Sequence, residues 1–394
     1  MKESTIIKYC NGCGACISEG KASFAINEKG FREAVPQSKD FREYCNTVCF
    51  SSGKQYKDKP DGNIWGKILG SYYSWATDTS VRMSGSSGGT LTALCVYLLK
   101  SGQVDGIVHT MEDPRNPIET LTVVSRTESE VISHTGSRYS SSSPLLNISN
   151  YIEDGCKYCF VGKPCDVATL RNIISKDPKY RDTFKFLFSF FCAGAPSIHA
   201  NESLLNKMGT SKDRCISLRY RGDGWPGFAT AVDVDGKTHK LDYRTVWRDT
   251  LGRDIRPICR FCIDGIGEFA DIVCFDAWYM GNDKKPLFKE ADGRNGVFCR
   301  SNEGLRIFTE ACKTGYINSS DYRDYADELC YIQRYQYTRR TTMPSTMLAM
   351  KLLFKSTPSY PFTFMMSLMS NSTVKSNISR FWGTIKRIIK GRIG

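Results

Sequence analysis

Three cysteines within seven residues, Cys10-Asn11-Gly12-Cys13-Gly14-Ala15-Cys16, constrain this chain more than any other stretch. Two successive C-x2-C steps wind the backbone around a small centre. Glycines permit the tight turns and leave N–H groups free to face sulfide. The pattern suits a cubic 4Fe–4S cluster, with each of the three thiolates on one iron. A bacterial ferredoxin run would next place Cys-Pro at positions 20 and 21, where this chain has Gly20 and Lys21. The fourth ligand is therefore expected from farther along, and both Cys49 and Cys45 are available. A zinc knuckle is the rival reading of the same residues.

The chain has 17 cysteines and only four histidines, His109, His134, His199 and His239, scattered singly. That excludes a His-rich hydrolytic metal site and leaves the histidines as ordinary surface or core residues. The start shows no secretory signal, and no apolar run is long enough to span a bilayer, so a cytoplasmic setting is expected. There, many cysteines read as metal ligands or redox groups rather than disulfides. The net charge of +13 is uneven. Residues 331–394 carry 11 Lys/Arg and no acid, whereas residues 1–330 carry 43 basic against 41 acidic side chains. A body this balanced excludes a general nucleic-acid binder.

Along the chain, residues 24–26 and 31–35 flank Asn27-Glu28-Lys29-Gly30, a hairpin signal. Residues 57–62, rich in Lys, Asp, Pro and Gly, read as a linker. Residues 91–99 form an apolar helical run after Gly85-Ser86-Ser87-Gly88-Gly89, and 105–108 a short buried strand. Residues 184–192 fit an interior strand, 230–243 a hairpin around Asp235-Gly236, and 270–275 and 296–300 further strands. Residues 303–313 form an amphipathic helix stopped by Gly315. This mixture predicts an α+β or mixed α/β fold with one central sheet. The division expected is a small cysteine module over 1–62, a mixed-sheet core over 63–330 and a basic appendage over 331–394.

The other cysteines are dispersed. Cys259-Arg260-Phe261-Cys262 is a C-x2-C, Cys165 follows Gly162-Lys163-Pro164, and Cys192 ends the apolar strand. Cys156, Cys159 and Cys215 are further candidates, while Cys95, Cys274, Cys299, Cys312 and Cys330 read as small buried hydrophobes. Ser86, Ser87, Gly88 and Gly89 open a helix, where bare N–H groups and the helix terminus can cradle phosphate; a plain turn and N-cap fits the same residues. The loop is neither a P-loop nor G-x-G-x-x-G. Arg138 and Tyr139 can clamp phosphate and stack on a ring, or form a surface turn.

Six stretches in this order carry a resemblance: Cys10 to Cys16, RMSGSSGG from Arg82, GSRY from Gly136, VGKPCDVATLR from Val161, RYRGDGWPG from Arg219 and CRFCIDGIGEFADIVCFDAW from Cys259. The chain resembles the coenzyme F-420 hydrogenase/dehydrogenase beta-subunit family, closest in style to its 7-hydroxymethyl chlorophyll a reductase-like branch with a ferredoxin-type N-terminus. The resemblance implies an iron–sulfur flavoprotein oxidoreductase. It implies FAD in the core beside a second 4Fe–4S cluster on Cys165, Cys192, Cys259 and Cys262, with the first on Cys10, Cys13, Cys16 and Cys49. It makes Ser86, Ser87, Gly88, Gly89, Arg138, Tyr139 and Asp276 the expected flavin contacts. Two departures stand out: Phe50 follows Cys49 where Pro is usual, and Lys163 stands where the family commonly has Thr.

Flavin with iron–sulfur chemistry joins one-electron carriers to two-electron reactions. The expected function is electron transfer between a donor such as ferredoxin and an organic substrate, with a glycan or lipid-linked intermediate among the candidates. The alternative is a deazaflavin (coenzyme F-420) electron-transfer subunit of a larger hydrogenase or dehydrogenase. Ile378, Phe381, Trp382, Ile385, Ile388, Ile389 and Ile393 recur at helical spacing among cations, which predicts an amphipathic helix on an anionic membrane surface.

Overall fold

The structure is a computed structural model describing residues 1–56, 63–391 and 393; the linker expected at 57–62 lies outside the described residues. Ala22–Ile26 (β1) and Arg32–Pro36 (β2) form the expected antiparallel hairpin. Asn27 Oδ1 accepts from the Lys29 and Phe31 N–H groups across its turn, and Gly30 takes φ +72°. The remaining strands are Gly70–Ala76 (β3), Gly106–Asp113 (β4), Asn116–Ser125 (β5), Tyr158–Val161 (β6), Phe184–Phe190 (β7), Cys215–Arg219 (β8), Phe228–Asp233 (β9), Thr238–Asp242 (β10), Ile272–Asp276 (β11), Asn295–Cys299 (β12) and Ile317–Asp321 (β13).

Eight of them make the central sheet, in the order β13-β3-β12-β11-β7-β6-β4-β5. Its middle is parallel, with β4, β6, β7 and β11 running the same way, and antiparallel strands flank that middle. Central parallel strands are covered on both faces, which is why β7 and β11 read as nearly continuous apolar runs. One face carries the helices Thr90–Lys100 and Asn302–Lys313. Leu94, Leu98, Ile307 and Phe308 of these helices pack with Phe188, Ile272 and Val297 of the sheet. A separate three-stranded sheet, β10-β9-β8, contains the expected β9–β10 hairpin around Gly236, and Arg221 and Tyr243, which line the cavity described below, follow β8 and β10. Cys95, Cys274 and Cys299 are buried in the core as expected, whereas Cys312 and Cys330 are only partly buried.

Beyond residue 331 the chain leaves the sheet and forms the helices Arg334–Thr341, Met343–Leu352, Phe362–Met369 and Val374–Ile389. It is not an appendage in space. Met343, Met347, Met350, Phe364 and Leu368 share a core with Tyr9, Phe50, Tyr56, Ile258 and Phe261. Arg340 is fully buried, pairs with the equally buried Glu268 and donates to the Ile263 carbonyl. Burying two charges is tolerable only while both are present, because removing one strands the other. Arg340→Met should therefore lower unfolding free energy by about 3 kcal/mol or more. Arg323→Met, which removes an exposed pair with Asp321, should cost below about 1 kcal/mol. Urea midpoints of the two variants check this contrast.

Candidate functional site

The parallel strands end on a common edge, the place where open α/β sheets bind ligands. There a cavity of about 430 Å³ opens beyond β6, β7 and β11, lined by Val161 and Gly162, by Phe190, Phe191 and Cys192, and by Asp276. That volume lies within the range of cofactor pockets.

One wall is built on an ion pair between the buried Arg221 and the partly buried Asp276. Arg221 Nη1 donates to both oxygens of Asp276 at 2.9 and 2.8 Å, and Ser87 Oγ donates to the same carboxylate. The guanidinium lies over the rings of Tyr243 and Trp278, at 4.7 and 4.9 Å from their centroids. Its Nη2 is buried without a partner. Tyr139 packs edgewise on Tyr220 and tilted on Trp247, so the cavity has aromatic sides.

Several expected contacts are used differently from the sequence expectation. Gly88 does not line the cavity: its N–H and that of Thr90 both donate to Asn295 Oδ1, at 3.1 and 3.2 Å. A Cβ at Gly88 would come within 3.0 Å of the Arg294–Asn295 backbone, so this glycine serves a close approach of two segments. Ser86 Oγ accepts from the Ser137 N–H, tying the glycine loop to the GSRY turn. Arg138 does not offer a free fork. It donates to Glu112, Leu218 O and Pro117 O and braces the wall, with only its Nε unpartnered. Ser86, Ser87, Gly89, Arg138, Tyr139 and Asp276 all line the cavity.

Lys163 lines the cavity floor. Its Nζ pairs with the fully buried Asp166 at 2.7 Å and donates to Ser142 Oγ. Burial works against the lysine charge, but Asp166 outweighs it and holds the pKa above the usual lysine value. Lys163, Cys192, Gly194 and Ala195 also line a second, smaller pocket, together with Cys165, Cys259 and Cys262. The structure thus brings these four cysteines together from three separate segments. Burial raises the thiol pKa of three of them, to about 11 for Cys192 and about 12 for Cys262, with Cys165 also raised. Neutral thiols at rest suit ligands that deprotonate on meeting a metal centre. Cys156 and Cys159 lie elsewhere: Cys156 beside Arg126, and Cys159 within the core that holds Cys95. Cys215 belongs to the core of the small sheet.

The N-terminal set gathers too. Cys13 lies within electrostatic reach of Cys49 and Cys16, and Cys49 within reach of Cys10 and Cys16. Cys45 is buried within electrostatic reach of Cys16, Cys49 and Cys10, so both candidates for the fourth ligand are adjacent. Gly12 and Gly14 take φ of +73° and +91°; a Cβ would strike Arg256 at the first and the Leu146 backbone at the second. Arg256 binds the Cys10 carbonyl and also lines the four-cysteine pocket, so one buried cation touches both sets. Among the described residues no three His, Cys, Asp or Glu side chains converge as one metal ion requires, while a cubic cluster sets its thiolates wider apart.

Sequence reasoning assigned no role to Arg221, Asn295 or Arg339. The RYRGDGWPG stretch was the available signal for Arg221; the other two act across long separations.

Comparison with known proteins fits this geometry. The family described as coenzyme F420 hydrogenase/dehydrogenase, beta subunit, matches in two parts: its N-terminal part over residues 71–149 and its C-terminal part over residues 155–325. The coenzyme F420 hydrogenase subunit beta of Methanococcus voltae is 24% identical over 66% of this chain and 86% of its own. The chloroplastic 7-hydroxymethyl chlorophyll a reductase of Oryza sativa subsp. japonica is 26% identical over 56% of this chain and 45% of its own. A chain of the F420-reducing [NiFe] hydrogenase complex from Methanosarcina barkeri shares the fold, with TM-score 0.60 and 20% identity over 77% of this chain and 99% of that one. Two consecutive domain matches spanning more than half the chain, on a mixed sheet of the same fold, make this protein a member of the coenzyme F420 hydrogenase/dehydrogenase beta-subunit family and an oxidoreductase.

Proposed function

We propose that this chain is an iron–sulfur flavoprotein that moves electrons between a one-electron donor such as ferredoxin and an organic substrate. The observation that carries the proposal is the wall shared by the 430 Å³ cavity and the four-cysteine pocket, made of Lys163, Cys192, Gly194 and Ala195. Cys165, Cys192, Cys259 and Cys262 would hold one 4Fe–4S cluster, Cys10, Cys13, Cys16 and Cys49 a second, and FAD would fill the cavity. When bound, the clusters supply one-electron steps and the flavin two-electron chemistry. Arg221 and Arg138 place two guanidinium groups in the cavity wall, and its aromatic sides exclude water around a ring. Lys163 places a fixed positive charge where the two pockets meet.

A second reading rests on the likeness to a chain of the hydrogenase complex. In it the chain uses the deazaflavin coenzyme F-420 and docks on a larger hydrogenase or dehydrogenase. Oxidation of added reduced F-420, together with copurifying subunits, distinguishes it from the stand-alone enzyme.

The C-terminal helix supports peripheral attachment to an anionic membrane and hence a lipid-linked or glycan intermediate as substrate. No helix among the described residues is long and apolar enough to cross a membrane. Helix Val374–Ile389 docks through Asn377, which accepts from Ser345 Oγ, and through the buried Thr384. Ile388 and Ile393 pack against the body, so the apolar arc expected from the sequence is divided. Val374, Ile378, Trp382 and Ile389 remain exposed, with Phe354 at 99% and Phe362 at 77% exposure on neighbouring helices and loops. Lys351, Lys355, Lys375, Lys386 and Lys390 are exposed in the same acid-free segment. Apolar side chains ringed by cations suit an interfacial anchor.

Anaerobic purification should give about eight iron and eight sulfide per chain, the content of two cubic clusters. Cys13→Ala should lose half the iron and keep the flavin. A colourless zinc protein, or iron unchanged in that variant, contradicts the assignment. In flotation with anionic vesicles, Trp382→Ser with Ile389→Ser should weaken binding roughly tenfold, equivalent to about 1.4 kcal/mol. Equal flotation of wild type and variant would leave the helix as a packing element only.

A further inference from the structure

Arg339 lies 14 residues beyond the last family-matched position, residue 325, yet it reaches the four-cysteine pocket. It is 6% exposed. Its Nη1 donates to the Ala193 and Cys259 carbonyls at 3.2 and 3.1 Å, and its Nη2 to the Cys192 carbonyl and Gln336 Oε1 at 3.0 and 2.6 Å. None of these acceptors is a carboxylate, and its Nε is buried with no partner. Its guanidinium lies 4.8 Å from the centroid of the Tyr335 ring, and the thiols of Cys262, Cys192 and Cys259 are the other groups that most favour its charge. Gly265 makes the approach possible, since a Cβ there would fall 2.0 Å from both Arg339 Nη2 and Gln336 Oε1. Gln336 Nε2 donates to the same Cys192 carbonyl at 2.8 Å. By contrast, the buried Arg221 and Arg340 each have a carboxylate, while the buried Arg256 on the same pocket, bonded to the Cys10 and Arg32 carbonyls, has none among the described residues. A guanidinium buried without one is expensive unless an anion lies beside it.

We propose that Arg339 is a counter-charge of the Cys165/Cys192/Cys259/Cys262 centre and a positioning residue that holds its reduction potential up. This rests on the iron–sulfur reading of that quartet. Four thiolates give the centre a net negative charge, and one electron from the donor makes it more negative by one. No bond forms or breaks in that change. A fixed cation at short range in a medium of low dielectric stabilises the more negative form, and so favours reduction. The two carbonyl bonds also hold the backbone of two ligand residues, Cys192 and Cys259, in place. The family-matched core thus receives a potential-setting charge from a segment outside it.

Redox titration of the loaded full-length protein, followed by EPR, tests this on two centres at once. In Arg339→Gln the midpoint of the quartet centre should fall, while that of the Cys10/Cys13/Cys16 centre stays at the wild-type value. In Arg339→Lys, which keeps the charge, the quartet midpoint should remain near wild type. An unchanged midpoint in Arg339→Gln with full iron overturns the inference alone, as does an equal fall in Arg339→Lys. If Arg339→Gln loads no iron at the quartet, Arg339→Lys decides: loading at the wild-type midpoint supports the charge, and failure of both variants makes the residue merely structural. Iron unchanged in Cys259→Ala would remove the centre itself, and with it the reading on which the inference depends.

Discussion

Parallel pairing of β6, β7 and β11 decides where everything else can lie. The register aligns Val161 with Phe188, and Phe188 with Ile272, so the three strands finish on one edge. Cys192 stands two residues past β7, Lys163 and Cys165 lie just past β6, and Asp276 closes β11. Ladder hydrogen bonds thereby place a thiol, a cation and a carboxylate beside one cavity, although they are far apart in sequence. The strands themselves are anchored by Phe160, Phe188 and Phe298, which are fully buried on β6, β7 and β12.

Around that edge the protein places charge in its interior, and each charge has an evident reason. Lys163 with Asp166 forms the floor, Arg221 with Asp276 forms a wall, and Arg340 with Glu268 locks the C-terminal helices onto the core. Buried pairs contribute little to net stability, because desolvation offsets most of their attraction. Their effect is to fix geometry. Asp276 can meet Arg221 and Ser87 only when β8, the glycine loop and β11 are all in place.

The sequence disclosed what short-range physics determines. The hairpin at Asn27 to Gly30, the helix before Lys100, the buried strand at Phe184 and the cysteine triad are all written in local spacing and polarity. The quartet was legible only through family resemblance, because nothing in their spacing links Cys165, Cys192 and the Cys259–Cys262 pair. The glycine loop invited a phosphate reading that fails at Gly88, where the acceptor is Asn295, some 200 residues away. The basic tail read as surface because its charge is lopsided, yet Arg339 and Arg340 turn inward to groups supplied by other segments. Arg221 and Arg339 stayed hidden for the same reason: a counter-charge is a property of the folded neighbourhood.

The wide dispersal of the quartet also orders its birth on the ribosome. Cys10, Cys13, Cys16 and both rivals for the fourth position lie between residues 10 and 49, so those thiols are all made before the segment carrying Cys165. The other four thiols become neighbours only after Cys262 has emerged and the parallel ladder has formed, and Arg339 arrives later still. Contacts of such high sequence separation form late and slowly. Assembly of the two sets of thiols is therefore separated in time, and the members of the second set spend the interval apart until the segment carrying Cys262 has been made.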